Sequence, residues 1–385
     1  MTIKTFAVAA AISASLSMTA AAQDVVIGLS GALTGPSAGS YAPAIEGIRL
    51  YVDKVNAGGG VAGRKIKLII LDDQGEASKG AANATKLISQ DNVSLLINSS
   101  LSSTFAPMIA ATGQAGIPLL FAASACPKEV YPPANPLLFC TTAFASKFDS
   151  QATLDFITKS GGNVSLGLVA MAIPISRSEI ESAEGLATVK GMKVADKAII
   201  PPPTPDYTPF ATKLSAAGAN WVYAWAPWVT QVRTFEGLRK IGWNGRYIAW
   251  AHLESESELA RLKDPALYAI GANALFAQDL PVQREMQATA KAAGATYPAS
   301  QMTEGWIAGM VLEAALGKAG PNADAKAIQA AMQSLSVDTK GLRGGPIEWT
   351  AANHFRTRQF YRIYRWAPTS SAIEVVQDWT AYDVK

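Results

Sequence analysis

Apolar residues recur along the chain in two alternating patterns. Short runs dense in Val, Ile and Leu (DVVIGLS, KIKLIILDD, VSLLIN) alternate with longer stretches in which apolar residues return every three or four positions (PAIEGIRLYVDKVNA, SKGAANATKLISQD). The first kind predicts buried strands, the second amphipathic helices. A helix from about Phe105 to Gly113 and the strand IPLLFA extend the series. A second series opens near Val164 with VSLGLVAMAI, a helix from about Ser178 and KVADKAII. It runs on through a helix near Pro209 to Ala217, WVYAWA, a helix from about Thr230 to Ile241, RYIAWA and a strand near Ala269 to Phe276. Strands spaced by helices form a parallel sheet covered on both faces, so two such series predict two similar α/β lobes. A helix-rich stretch, Pro281 to Leu335, and antiparallel-looking strands in GPIEW, QFYRIYRW and IEVVQDW complete the pattern.

Composition agrees with two cored lobes: 385 residues, 49% hydrophobic and 16% charged. A net charge of +3 without any block of like charges excludes an obvious nucleic-acid footprint. The first residues carry one lysine, Lys4, then small and apolar residues to Ala20-Ala21-Ala22. A membrane anchor and a cleaved signal both fit that length, and the alanine and serine content with the A-x-A ending predicts a signal peptide over residues 1–22. Export makes a disulfide between Cys126 and Cys140 plausible across a proline-rich loop, with two buried thiols as the alternative.

The stretch NAGGGVAGRKIKLIILDDQ spells G-x-G-x-x-G at Gly58, Gly60 and Gly63. A dinucleotide cradle needs those glycines after a strand and before a helix, whereas here the order is reversed. They are expected to form a helix-to-strand turn, with no cofactor. Asp72-Asp73 at the following strand end reads as turn and capping residues rather than a carboxylate pair. Catalytic parts are scarce: G-x-S-x-G, H-E-x-x-H and C-x-x-C do not occur, and of the two histidines His354 is expected to be solvated. The chain is not expected to be an enzyme.

Binding features are richer. Ser102, Ser103 and Thr104 stand between a strand and a helix, where hydroxyls and unpaired amides favour an anion. Ala123, Ser124 and Ala125 follow the next strand. Trp225, Trp228 and Trp250, with His252, fall at the carboxyl ends of second-series strands, where open α/β sheets bind ligands. Arg177 near a helix start either faces that crevice, as a partner for a carboxylate, or points to water.

The stretch from VVIGLSGALTGPSAG to DDQGEASKGAANATKLI resembles the type I periplasmic solute-binding proteins of ABC transporters, the branched-chain amino-acid-binding family, and the similarity continues through GIPLLF, KLSAAGANWVY, GLRKIGW and GPIEW. The resemblance implies two Rossmann-like doubly wound lobes joined by three crossover segments, lobe 1 over residues 23–143 and 279–345 and lobe 2 over 144–278 and 346–385. It implies hinge closure on a small-molecule ligand, a membrane permease as partner, a monomer and a periplasmic location. Family binding positions fall on Ser102, Ser103, Thr104, Ala123 and Ser124, with a crevice aromatic near Tyr41; Phe144 completes the candidate set. The family's ammonium-binding acid falls on Ala251, which argues against an α-amino acid. With the tryptophans and Arg177, this predicts an aromatic or otherwise apolar carboxylate. The alternatives are a branched-chain or other hydrophobic amino acid, or a sensory ligand-binding role.

Overall fold

The structure, a computed structural model, describes residues 23–142 and 148–384. The expected signal segment and the candidate residue Phe144 lie outside the described residues.

The first sheet holds β1 (Val25–Gly31), β2 (Ile66–Asp72), β3 (Leu95–Ser99), β4 (Leu119–Phe121) and β5 (Leu138–Cys140), all parallel, in the order β2-β1-β3-β4-β5. Its crossover helices are α1 (Ala42–Ala57), α2 (Ala77–Ser89) and α3 (Phe105–Ala115). The apolar period of α1 buries Ile45, Ile48, Val52 and Val55 on one face. Between α1 and β2, Gly59, Gly60 and Gly63 all adopt positive φ, and a Cβ on Gly60 would lie 2.0 Å from the Arg64 carbonyl oxygen. The glycine fingerprint is therefore a helix-to-strand turn that only glycine can make. Asp72 accepts the amides of Leu33 and Gln74, and Asp73 accepts hydroxyls from Ser30 and Ser100, so both acids serve the strand end.

The second sheet follows α4 (Phe148–Lys159) and contains β6 (Ser165–Met171), β7 (Lys193–Ile200), β8 (Trp221–Trp225), β9 (Arg246–Trp250) and β10 (Leu267–Gly271) in parallel. Helices α5 (Pro174–Val189), α6 (Thr208–Ala216), α7 (Trp228–Lys240) and α8 (Ser255–Leu262) connect them. The chain then returns to the first lobe as α9 (Pro281–Ala292), α10 (Thr303–Ala319) and α11 (Ala325–Met332). Helix α10 packs on α1 so closely that a Cβ on Gly305 would sit 1.8 Å from the Ala44 carbonyl oxygen. A two-stranded ribbon, β11 (Ser336–Val337) with β12 (Ile347–Glu348), precedes the last passage to the second sheet. There β13 (Arg358–Ala367) and β14 (Ala372–Asp383) add antiparallel strands, giving the order β14-β13-β10-β9-β8-β6-β7. The chain thus passes between the sheets three times: after β5, after β10 and before β13.

Several expectations are corrected. Helix α5 begins at Pro174, not Ser178, because extended Ile173 leads directly into a proline suited to the first helical position. Ser176 donates to the Trp225 carbonyl and accepts from the Met171 amide, while buried Glu179 accepts from the Ser150 amide. The expected disulfide between Cys126 and Cys140 closes the proline-rich loop, and what the pattern missed is β5, the strand that carries Cys140, which is too short to register. His354 is fully buried rather than solvated, stacked on Phe139 with ring centroids 4.2 Å apart and Nδ1 against the carbonyls of Asn135 and Leu138. Its polar flanking residues hid a position that tertiary packing covers.

Candidate functional site

The carboxyl ends of both sheets converge on one cleft, which the touching lobes leave with only about 30 Å³ of open space. One wall comes from the first lobe: Tyr41 at the start of α1, Ser102 opening the 3₁₀ turn Ser102–Thr104 before α3, and Ala125 beyond β4. The opposite wall comes from the second lobe, with Ile173 and Ile175 after β6, Trp225 at the end of β8, and Trp250 and His252 at the exit of β9. Polar and aromatic contacts bridge the lobes at the cleft. The Ile175 amide donates to Ser102 Oγ at 3.4 Å, Ser40 Oγ donates to Glu254 Oε1 at 2.8 Å, and the Tyr41 ring meets the His252 ring edge-on at 5.9 Å.

The expected site residues divide accordingly. Tyr41, Ser102, Trp225, Trp250 and His252 line the cleft. Ser103 and Thr104 stand behind Ser102: Ser103 Oγ donates to the Gly75 carbonyl, and buried Thr104 bridges the Leu101 carbonyl and the Asn98 amide group. Ala123 holds a positive φ and packs with Ala44 and Leu253 from across the interface, while Ser124 Oγ leans on the Asn98 carbonyl; both support the wall from behind. Trp228 is the first residue of α7 and turns into the second-lobe core. Arg177 is exposed on α5, outside the residues that line the cleft. Helix α5 starts one turn earlier than the sequence pattern suggested, and that register carries Arg177 to the surface.

The family follows from direct comparison. A family model described as periplasmic binding protein matches residues 24–371, most of the chain. The chain belongs to the periplasmic binding protein family. An amino acid binding protein of Pseudomonas aeruginosa is 24% identical over 357 residues, covering 90% of this chain and 91% of that one. A branched-chain amino acid ABC transporter structure from Thermus thermophilus with bound valine superposes with a TM-score of 0.81 at 17% identity, over 93% of this chain and 96% of its own. A Rhodopseudomonas palustris solute-binding protein in complex with 3,4-dihydroxy benzoic acid gives 0.78 at 20% identity, over 94% and 98%. This periplasmic binding protein thus shares the type I fold of those solute-binding structures.

In this binding protein, polar residues that carry no obvious sequence signal hold the aromatic wall in place. Fully buried Asp149 accepts the Trp225 indole N–H at 2.9 Å and the Tyr361 hydroxyl at 2.6 Å, which sets the tilt of the Trp225 ring. Buried Gln231 donates to the carbonyls of Ala226 and Trp250 and accepts the Trp250 amide, clamping the exits of β8 and β9 together. Glu254 accepts Ser40 on one oxygen and faces His252 Nδ1 at 3.1 Å on the other, so one carboxylate joins the opposite lobe to the cleft wall. Among the described residues that line the cleft there is no Asp, Glu, Lys or Arg. Burial, then the nearby carboxylates of Glu254 and Asp73, push the Tyr41 phenol well above its ordinary pKa, so it remains a hydrogen-bond donor. Behind His252 a second, polar recess contains Glu256, whose carboxyl burial pushes up to about 7 against the opposing effect of a bond from the Phe276 amide. The cleft offers flat apolar faces with hydroxyl and imidazole groups at the edges, which suits binding and orientation of a small planar solute.

Proposed function

We propose that this protein captures an aromatic or otherwise apolar carboxylate by hinge closure and delivers it to the membrane permease of an ABC importer. The observation that carries the reading is the pair Trp225 and Trp250 facing a cleft whose lining has no carboxylate, with Ala251 where the family's ammonium-binding acid falls. A ligand ammonium would be stranded there, because a buried cation without a partner is costly. A carboxylate finds donors in Tyr41, Ser102 and His252, and in the amides that open the turn before α3. Support comes from the dihydroxybenzoic acid complex of the Rhodopseudomonas palustris neighbour.

The proposal extends to a periplasmic monomer made from a precursor cleaved after Ala22, which binds its solute without turning it over. The lobe limits, 23–143 with 279–345 and 144–278 with 346–385, draw support from the two large sheets, β1 to β5 in the first and β6 to β10 with β13 and β14 in the second, although the ribbon strand β12 pairs with β11 across the 345/346 limit. A second reading is a hydrophobic amino acid, in keeping with the valine-bound Thermus thermophilus structure. Its observation is Glu254, the carboxylate beside His252, which would have to leave Ser40 to take an ammonium.

A thermal-shift panel separates the two. Benzoate, 3,4-dihydroxybenzoate and a phenylpropanoid acid are expected to stabilise the protein, by about 2.7 kcal/mol at 100 times Kd. Stabilisation by leucine or valine but by none of the aromatic acids would sink the proposal. Mass spectrometry of the recovered ligand checks for turnover, and the expected mass is unchanged.

A further inference from the structure

Two buried arginines meet at the hinge. Arg343, on the passage out of the first lobe, donates to both oxygens of Glu304 and to Asn273 Oδ1, tying the crossover after β10 to α10. Arg356, just before β13, has neutral partners among the described residues: the carbonyls of Thr141 and Thr142 after β5, and Gln359 Oε1. The two side chains between them hold all three crossovers. Arg343 is 6% exposed and Arg356 3%, and each retains a buried N–H without an acceptor among the described residues, Nη1 of Arg343 and Nε of Arg356.

Both arginines line the same small cavity, of about 10 Å³ and so with room for a single small particle, bordered by Ala272, Pro346 and the Phe360 ring. Glu304 pairs with Arg343 and acts on Arg356 through space, so two guanidiniums share the one carboxylate that bonds either of them among the described residues. Burial and the adjacent Arg343 charge pull Arg356 down to about 9. A buried charge with no counter-charge is costly, and an unmet N–H adds to that cost. Water in the cavity satisfies the N–H groups and leaves the charge, whereas a monovalent anion satisfies both.

We propose that a small monovalent anion, a halide such as chloride, binds between Arg343 and Arg356 and completes the hinge. The excess of one charge selects a monovalent ion, and the cavity is too confined for a hydrated divalent oxyanion. The site is distinct from the solute cleft and independent of the solute's identity. Because the ion joins residues anchored on all three crossovers, it stabilises the frame about which the lobes turn.

The test replaces sodium gluconate stepwise with sodium chloride or sodium bromide at constant ionic strength and follows thermal unfolding of the full protein. The expected result is a rise in Tm that saturates with halide and is not reproduced by sulfate. Crystals grown in sodium bromide are expected to show an anomalous bromide peak between Arg343 and Arg356. A Tm indifferent to halide, or bromide-grown crystals with only water in the cavity, would overturn the proposal. Arg356→Gln is expected to abolish the halide dependence, and a dependence unchanged in that variant overturns the site. Should the variant fail to fold, the bromide measurement on the unaltered protein decides alone.

Discussion

Ser40→Ala isolates the contribution of lobe closure to solute affinity. The substitution removes one oxygen from a buried side chain whose hydroxyl donates across the interface to Glu254 Oε1 at 2.8 Å. A hydrogen bond to a charged group contributes roughly 1.5–3 kcal/mol when removed from water. The Glu254 side chain is 17% exposed and regains solvent in the variant, which brings the expected loss down to about 1–2 kcal/mol. The bond exists only when the lobes meet, so the loss falls on the closed state and not on the separate lobes. Solute binding draws on closure, and Kd should rise roughly 5- to 30-fold, at about 1.4 kcal/mol per factor of ten. Stopped-flow fluorescence from the cleft tryptophans, with whichever acid stabilises the protein, reads the two rates. The dissociation rate should carry the change while the association rate stays within about twofold, as is usual within one interface. Glu254→Gln, which can still accept from Ser40 without the charge, should show a smaller effect. A Ser40→Ala protein with unaltered dissociation rate would refute the closure argument, and a slower association with unaltered dissociation would refute it equally.

Trp225→Ala and Trp228→Ala should part company. The first removes a cleft wall and should weaken an aromatic solute by roughly 10- to 100-fold, whereas the second leaves a cavity in the lobe core, costing about 3–5 kcal/mol of stability with Kd little changed. Isothermal titration and urea unfolding read the two effects. Arg177→Ala should leave solute affinity within about twofold, since its side chain is exposed outside the cleft; a tenfold loss would return it to the site. Two buried groups give opposite pH signatures. Burial holds His354 below its ordinary value, so its stability contribution is complete above about pH 6.5 and is lost as pH falls through the depressed folded value. His354→Phe should flatten that acid limb of the Tm profile. Glu256 is pushed up to about 7 by burial, so its contribution is complete below its ordinary range and is lost as pH rises through about 7. Glu256→Gln should melt above the unaltered protein at pH 8 and level with it at pH 4.

The alternation of short apolar runs and three-to-four-residue periods was enough to read two α/β lobes, because burial on both faces of a sheet and one face of a helix follows local spacing. The glycine turn after α1 was legible for the same reason: helix before and strand after decide its meaning within a few residues. Ser102, Trp225 and Trp250 could be assigned to the cleft because strand ends in open α/β folds define where ligands sit, and Tyr41 through the family resemblance. What separated Trp228 from its neighbours, and turned Arg177 outward, was a shift in helix start of one or two residues at α7 and one turn at α5. A side chain turns about 100° per residue, so two residues at α7 reverse its direction, while at α5 the extra turn takes Arg177 out of the loop and into the helix; local pattern does not fix boundaries that finely. Asp149, Gln231 and Glu254 could not be singled out, since each acts through a partner far along the chain: Tyr361, Trp250 and Ser40. His354 and the paired arginines Arg343 and Arg356 are likewise polar residues in polar surroundings, made interior only when segments separated by two hundred residues close over them. Secondary structure and strand-end chemistry depend on neighbours in sequence, whereas burial, pairing and the facing of the cleft depend on neighbours in space, and only the tertiary structure supplies those.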